Sequence, residues 1–363
     1  MTAAMTIREL IDKLHDTNDL SSDELKELLT NCDPANEAYL EQKARETAVA
    51  VYEKKIYVRG LIEFTNHCRN NCLYCGIRAK NPNIKRYRLS DDDVISCCEK
   101  GYALGYRTFV MQGGEDVFYT DDKITAIVTT IKKRFPDCAV TLSIGEKSRE
   151  SYEKFHEAGA DRYLLRHETA DEKHYEKLHE RNQSFANRMR CLRDLKDIGF
   201  QTGCGFMVGS PYQTIDHLVK DLRFIKKFNP EMVGIGPFIP HSGTPFAAFP
   251  SGSADMTVKL LAIVRLLLPY VLLPATTALA TVDKNGRKRG ILAGANVIMP
   301  NLSPADKREF YSLYDRKACT GNEAAEMIAA IEKEITDLGY ELSRSRGDGK
   351  KPDTARKMLK SEI

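Results

Sequence analysis

The chain has no tryptophan, and aromatic residues make up 8% of its 363 positions. Neither sign of charge dominates: 54 Lys and Arg stand against 51 Asp and Glu, a formal net charge of +3. That balance supplies no global field to gather nucleic acid. No apolar run is long enough to span a bilayer. The greasiest stretch, 260–273, is interrupted by Arg265 and Pro269 and reads as a buried helix passing into a strand. Low-complexity tracts and repeats at solenoid periods are missing too. The first residues, Met1 to Arg8, lack the basic start and apolar core of a signal peptide. A cytoplasmic, reducing setting is therefore expected, where ten cysteines read as thiols or metal ligands rather than disulfides.

Three of those cysteines lie in one run, Phe64-Thr-Asn-His67-Cys68-Arg-Asn-Asn-Cys72-Leu-Tyr74-Cys75-Gly76. The spacing is Cys-x3-Cys-x2-Cys, and no fourth cysteine follows closely. A cubane iron–sulfur cluster takes one thiolate per iron. Three ligands leave one iron open to bind and activate a small molecule, which a pure electron carrier does not need. A structural zinc would want a fourth ligand, and His67 is badly placed for it beside Cys68. Cys32, Cys97, Cys98, Cys138 and Cys191 sit in apolar patterns typical of small buried side chains.

Residues 1–57 read as a helical segment, with a capping box at Ser21 and Glu24. From Val58 to about 300, short apolar runs alternate with amphipathic helices. Strands are expected at 58–65, 108–112, 139–144, 162–166, 202–208, 232–239, 270–276 and 296–299. Helix starts are marked by Ser90, Thr120, Ser148 and Thr214, each followed by carboxylates or a charged turn. Eight such units predict an α/β fold, a complete (β/α)8 TIM-type barrel over 58–300. An open doubly wound sheet is the competitor. Polar residues at the ends of many different strands favour the barrel. Residues 301–363 are expected as a helical C-terminal extension packing on the barrel, the last ~20 residues forming a solvated polar tail.

The strand ends carry the polar candidates. In Gln112-Gly-Gly114-Glu115-Asp116, paired glycines let backbone approach a ligand, and Glu115 is placed to receive an ammonium; alone the motif is usually a turn. The fourth strand and its end carry Arg162, Arg166 and Glu168, either as a structural ion pair or as partners for a ligand's anionic and amino groups. Arg188 has the planar fork to clamp a carboxylate, or faces water. Tyr74 either packs the loop or lies against a nucleoside base. Gly236 and Pro237 offer main chain to an adenine edge. Thr141, Ser143, Thr276 and Thr277 offer hydroxyls at the barrel mouth. His167 and His241 stay ambiguous, since a lone histidine is more often a satisfied structural donor than a catalyst.

In this order the motifs resemble the HydE family of radical S-adenosylmethionine (SAM) enzymes, the [FeFe]-hydrogenase maturases. The resemblance covers the chain to about residue 340. It rests on the cysteine loop, Lys85-Arg-Tyr-Arg88, Gln112–Asp116, Ala158–Ala170, Met232–His241, Pro274–Ala278 and Gly294–Asn301. It implies a [4Fe–4S] cluster on Cys68, Cys72 and Cys75, with SAM held at the open iron. Tyr74, Gln112, Gly114, Glu115, Glu168, Arg188, Met207, Gly236, Pro237 and Ile239 would contact SAM. Thr141, Ser143, Arg162, Arg166, Thr276 and Thr277 would line the cavity of an anionic organometallic iron–cysteine substrate. Reductive cleavage would yield methionine and a 5′-deoxyadenosyl radical. An electron donor such as ferredoxin or flavodoxin and the other hydrogenase maturases are the implied partners, in an anaerobic setting; no nucleic acid or membrane is expected. Some members carry a second C-terminal cluster on three cysteines. Here only Cys319 stands in that region, so a second cluster is expected to be absent. Several members have serine where this chain has Gly113. A methylornithine-synthase-like mutase and a biotin-synthase-like enzyme are the alternatives within the same chemistry. From another class, a non-enzymatic iron–sulfur or zinc protein is the third.

Overall fold

A computed structural model describes residues 5–317 and 324–351. Three helices open the chain: α1 (Ile7–Thr17), α2 (Ser22–Asn31) and α3 (Pro34–Tyr52). Capping boxes at Thr6/Glu9 and Ser21/Glu24 start the first two. Asp33 caps the third, with proline at its first position. Their leucines, Leu10, Leu14, Leu25 and Leu28 among them, join the main core.

The strands are β1 (Lys55–Val58), β2 (Gly60–Thr65), β3 (Thr108–Gly113), β4 (Ala139–Ser143), β5 (Arg162–Leu164), β6 (Gln201–Cys204) and β7 (Met207–Val208). There follow β8 (Met232–Val233), β9 (Gly236–Pro237), β10 (Val297–Ile298) and β11 (Glu341–Ser343). Six of them, β2-β3-β4-β5-β6-β8, form one parallel sheet. Single parallel bridges carry the wall onward, Met232 to Leu272, Pro274 to Val297, and Asn301 back to Leu61 beside the first strand. The result is a (β/α)8-type barrel. Its outer helices are α4 (Asp91–Ala103), α5 (Asp121–Arg134), α6 (Arg149–Glu157), α7 (Glu172–Leu178), α8 (Phe185–Ile198), α9 (Ile215–Phe228) and α10 (Ala254–Leu267). Short α11 (Thr277–Val282) and α12 (Gly286–Leu292) follow, and α13 (Ile328–Asp337) precedes β11.

Several expected strands are shorter than their apolar runs. The run 58–65 divides at Arg59, its first part pairing instead with β10 and β11 in a small sheet. The runs 202–208 and 232–239 each break in two, and their second halves pair as β7 with β9. The 270–276 run makes only bridges, since Pro274 has no N–H to give. Helix α10 is buried from Thr257 to Leu267. Arg265 survives there because four groups accept its protons: the carbonyls of Gly294 (2.9 Å), Pro269 (2.7 Å) and Val271 (2.9 Å), and Asn296 Oδ1 (3.1 Å). Among the described residues no helix is long and apolar enough to cross a membrane.

The C-terminal expectation needs correction. Between 301 and 351 the described residues contain one α-helix, two 3-10 turns and a strand. The tail expected to be solvated is packed as far as residue 351. Strand β11 pairs with β1 in register from Lys55 to Tyr57. Beyond it, Arg346 binds Asp161 (2.8 Å) and Asp348 binds Arg162 (2.6 Å) at the N-terminal end of the barrel. Buried charge there gives the tail a specific seat that its polar composition did not announce.

Candidate cluster and nucleoside site

Strand β2 ends at Thr65 and releases the cysteine loop at the C-terminal mouth of the barrel, where barrel enzymes gather their sites. Two polar side chains give the loop its shape. Asn66 donates to the carbonyls of Lys85 (2.8 Å) and Phe310 (2.7 Å) and accepts from the Tyr87 N–H (2.8 Å). The Arg86 guanidinium gathers the carbonyls of Asn66, Ile77 and Arg78. Both are unremarkable in sequence, yet they satisfy loop carbonyls that no sheet or helix can reach.

Cys68, Cys72 and Cys75 are half-buried free thiols. Cys68 Sγ accepts the Asn70 N–H (3.4 Å), and Cys72 Sγ accepts from Gln183 Nε2 (3.3 Å). Burial pushes the Cys72 thiol up to about 12, with Cys68 adding to the cost; Cys75 is pushed well up for the same reasons. Cys68 is also raised by burial. Among the described residues no three His, Cys, Asp or Glu side chains converge on a single-ion site.

The far side of the loop is pinned by α7 and the turn after it. The Leu73 N–H donates to the Leu178 carbonyl (2.9 Å). His179 Nδ1 lies 2.9 Å from the Tyr175 carbonyl, which can only accept, so this nitrogen carries the hydrogen. Nε2 is then the acceptor for the Tyr74 hydroxyl at 3.2 Å. Burial holds His179 down to about 3, keeping it neutral in that role. Leu73 and Tyr74 also pack on the cluster of Leu178, Met207, Phe238 and Phe246. His179 and Gln183 are partners that sequence reasoning missed, because their turn carries no periodic pattern.

The glycine pair after β3 lies against the cysteine loop. A Cβ on Gly114 would sit 2.2 Å from the His67 carbonyl and 2.7 Å from Cys68 Cβ, so only glycine fits. Glu115 is then turned back, its Oε1 accepting the Glu146 N–H (2.9 Å) and its Oε2 meeting Arg69 Nη2 (3.0 Å). Gly145, at φ +77°, makes room for it: a Cβ there would fall 2.1 Å from Glu115 Cγ. Gln112 stands opposite Ser143 in register, one residue before β3 ends.

Beyond β5 the chain turns through Glu168, a non-glycine residue at φ +65°. Its N–H donates to the Gly205 carbonyl (3.0 Å), which fixes the turn. Glu168 Oε2 stands 3.3 Å from Arg166 Nη2 in poor hydrogen-bonding geometry. Neither atom has a hydrogen-bond partner, nor do Arg166 Nε and Thr141 Oγ1, although all four atoms are buried. Native structures leave few such groups unpaired. A polar ligand bearing both charges, such as the ammonium and carboxylate of an amino-acid group, would satisfy them. Arg188 is buried, bonding Glu146 Oε1 (2.6 Å) and the Arg166 carbonyl. It is thus tied to the same turn rather than facing water.

The remaining candidates separate. Gly236 and Pro237 pair with Met207 and Val208, and Ile239 is buried just beyond. Thr276 caps α11, its Oγ1 accepting the Leu279 N–H (3.4 Å), and Thr277 is that helix's first residue. Arg162 is a correction. As the first residue of β5 it points to the opposite end of the barrel from the cysteines, bonding Thr108 Oγ1 (3.1 Å), Gln201 Oε1 (3.1 Å), the Arg346 carbonyl (2.8 Å) and Asp348. His167 is structural: its Nδ1 accepts the Gly205 N–H (3.2 Å) while Nε2 faces buried Asp221 (3.2 Å). His241 accepts the Gly243 N–H (2.9 Å) and serves its own turn. Cys319 lies outside the described residues.

Comparison with known proteins follows the same lines. The model of the radical SAM superfamily matches residues 62–225. The [FeFe] hydrogenase maturase subunit HydE of Thermotoga maritima is 45% identical over 347 residues, 96% of this chain and 99% of that protein. The chain belongs to the HydE family. A 3-methylornithine synthase of Methanosarcina acetivorans is 30% identical over 91% of this chain and 92% of its own. The solved structure of methylornithine synthase (PylB) superposes with a TM-score of 0.82 at 25% identity, covering 92% of this chain and 97% of the other. The maturase HydG of Carboxydothermus hydrogenoformans, at 20% identity and a TM-score of 0.75, shares the fold. As a HydE-family member this chain is a radical SAM enzyme, a family built on a [4Fe–4S] cluster and SAM.

Proposed function

We propose that the protein is a HydE-type maturase, acting on an organometallic iron–cysteine species during assembly of the di-iron subcluster of [FeFe] hydrogenase. The 45% identity to a HydE over nearly the whole chain carries the reading. Cys68, Cys72 and Cys75 hold the cluster. When bound, it supplies the electron that splits SAM into methionine and a 5′-deoxyadenosyl radical. Glu115 and Glu168 take the ammonium and hydroxyls of SAM, Arg188 stands by its carboxylate, and Arg166 lines the substrate cavity beside them. Gln112, Gly114, Met207, Gly236, Pro237, Ile239 and Tyr74 shape the nucleoside side. Thr141, Ser143, Thr276 and Thr277 face the substrate. Enclosure in the barrel keeps water from a reactive primary carbon radical. With Cys319 the sole cysteine after Cys204, one cluster is held, and the other maturases and a low-potential electron donor are the partners.

The test is anaerobic. Iron and sulfide are loaded, dithionite and SAM added, and 5′-deoxyadenosine quantified with and without the iron–cysteine compound. Added compound should raise the yield or give an adenosylated product. The 30% identity to a 3-methylornithine synthase supports a second reading, and conversion of lysine to methylornithine would replace the first.

A further inference from the structure

Main-chain N–H groups reach two of the three cysteine sulfurs: those of Asn70 (3.4 Å) and Glu115 at Cys68, and that of Ile77 at Cys75. The Cys72 sulfur is met instead by a side chain from 111 residues along the chain, Gln183 Nε2 at 3.3 Å. The amide oxygen of the same residue is 3.6 Å away. A metal-bound thiolate has no hydrogen to give, so the NH2 end is the one that must face it.

Gln183 is half-buried in the turn between α7 and α8, and that turn is fastened on both sides of it. Its own N–H donates to the Glu180 carbonyl (2.9 Å). The Glu180 carboxylate takes Lys80 (3.0 Å) from the cysteine loop. The Leu178 carbonyl and the His179 ring hold Leu73 and Tyr74 of the same loop. On the other side Ser184 caps α8, its Oγ accepting the Asn187 N–H (3.2 Å). The amide is thus held against Cys72 without the freedom of a surface glutamine. A donor already in place needs little reorganisation when negative charge arrives.

We propose that Gln183 raises the reduction potential of the cluster, its amide N–H bonding the Cys72 sulfur more strongly in the reduced form. The proposal rests on the radical SAM reading and names a residue that governs how readily the site is reduced. Hydrogen bonds to cluster sulfurs are among the factors that set such potentials. The bond strengthens as the added electron puts more negative charge on sulfur. One electron passes from the reductant, which is oxidised, and no bond or proton changes. Gln183 acts through Cys72, so it is a positioning residue and not a catalytic one.

The test compares the cluster-loaded wild type with Gln183→Leu, which loses the donor, and Gln183→Glu, whose carboxylate only accepts. Each is titrated anaerobically with dithionite through redox mediators, and the reduced cluster is counted by electron paramagnetic resonance. In Gln183→Leu the ratio of reduced to oxidised cluster at a fixed potential should fall about tenfold, a shift of about 59 mV for one electron. Gln183→Glu should fall further. The Fe–S(Cys) stretching bands in resonance Raman spectra should move to higher frequency as the donor is lost. Asn182→Ala, one residue earlier and exposed, should match the wild type in both readouts. An unchanged potential or unmoved bands in Gln183→Leu, or an equal shift in Asn182→Ala, overturns the proposal. Loss of the cluster from both Gln183 variants overturns it too, since the amide would then serve assembly. None of these readouts needs SAM. A loaded wild type that gives no deoxyadenosine from SAM would instead defeat the functional reading, and the potentials would still report on Gln183.

Discussion

Replacing Gly145 with alanine tests how the glutamate of the Gly-Gly-Glu turn is held. The residue is at φ +77°, where an L side chain costs about 1–2 kcal/mol. Its new Cβ would meet Glu115 Cγ at 2.1 Å and Oε1 at 2.4 Å, so the Glu115 side chain must leave. The bond from the Glu146 N–H at 2.9 Å goes with it, a charge-assisted interaction worth about 1.5–3 kcal/mol. The Arg69 pair adds little, because Arg69 is 58% exposed. A loss of roughly 2.5–5 kcal/mol in folding stability follows. If Glu115 also binds the SAM ammonium, SAM affinity falls by about 10–100-fold. Gly199→Ala is the control: its φ is +107°, yet the nearest atom, His156 Nε2, is 3.8 Å from the added Cβ, so it bears backbone strain alone. Calorimetric titration of SAM into the cluster-loaded proteins, with denaturant melts alongside, separates the two. Wild-type SAM affinity in both Gly145→Ala and Glu115→Gln would refute the role given to Glu115.

Three further outcomes are expected. Cys72→Ala should lose bound iron and the cluster's visible absorption while circular dichroism still reports a folded barrel; an unfolded variant would mean that the cluster holds the fold together. Burial holds His167 and His179 down to about 3 from an ordinary 6.5. The unfolded chain therefore takes up protons first as pH falls, and each histidine removes roughly 2 kcal/mol of stability by about pH 5; urea midpoints that stay flat from neutrality to that pH would contradict their neutral burial. For Asp348, burial alone would raise the carboxyl, but hydrogen bonds from Arg346 and Gln201 and the Arg162 charge outweigh it and hold it well below the usual range. Its stabilising effect is present above the unfolded value of about 4 and is lost as pH drops toward the depressed folded value. Asp348→Asn should thus lower the urea midpoint at neutral pH and lose that deficit in acid; an equal deficit at both would exclude the ion pair as its cause.

Much of the site was legible because it is local. The cysteine spacing, the Gly-Gly-Glu turn and the Arg166–Glu168 segment are short stretches whose chemistry does not depend on distant residues. The helix caps at Ser21, Ser90, Thr120 and Ser148 were legible for the same reason. What escaped was contact between remote segments. Arg162 read as a cavity residue until Asp348, far along the chain, met it at the other end of the barrel. Tyr74 and Cys72 acquire His179 and Gln183 as partners across a loop-to-helix contact. Arg188 exchanged solvent for Glu146.

The sequence by itself determined the class of chemistry, since three thiols at fixed spacing on a strand-ending loop need no tertiary information to suggest an open iron. It also determined the alternation of strands and helices, through apolar period and cap residues. Only the tertiary structure decided which charges are paired, which thiol is buried, and that the polar tail closes the bottom of the barrel. Those are matters of burial, and the cost of a buried charge depends on what the rest of the chain brings against it.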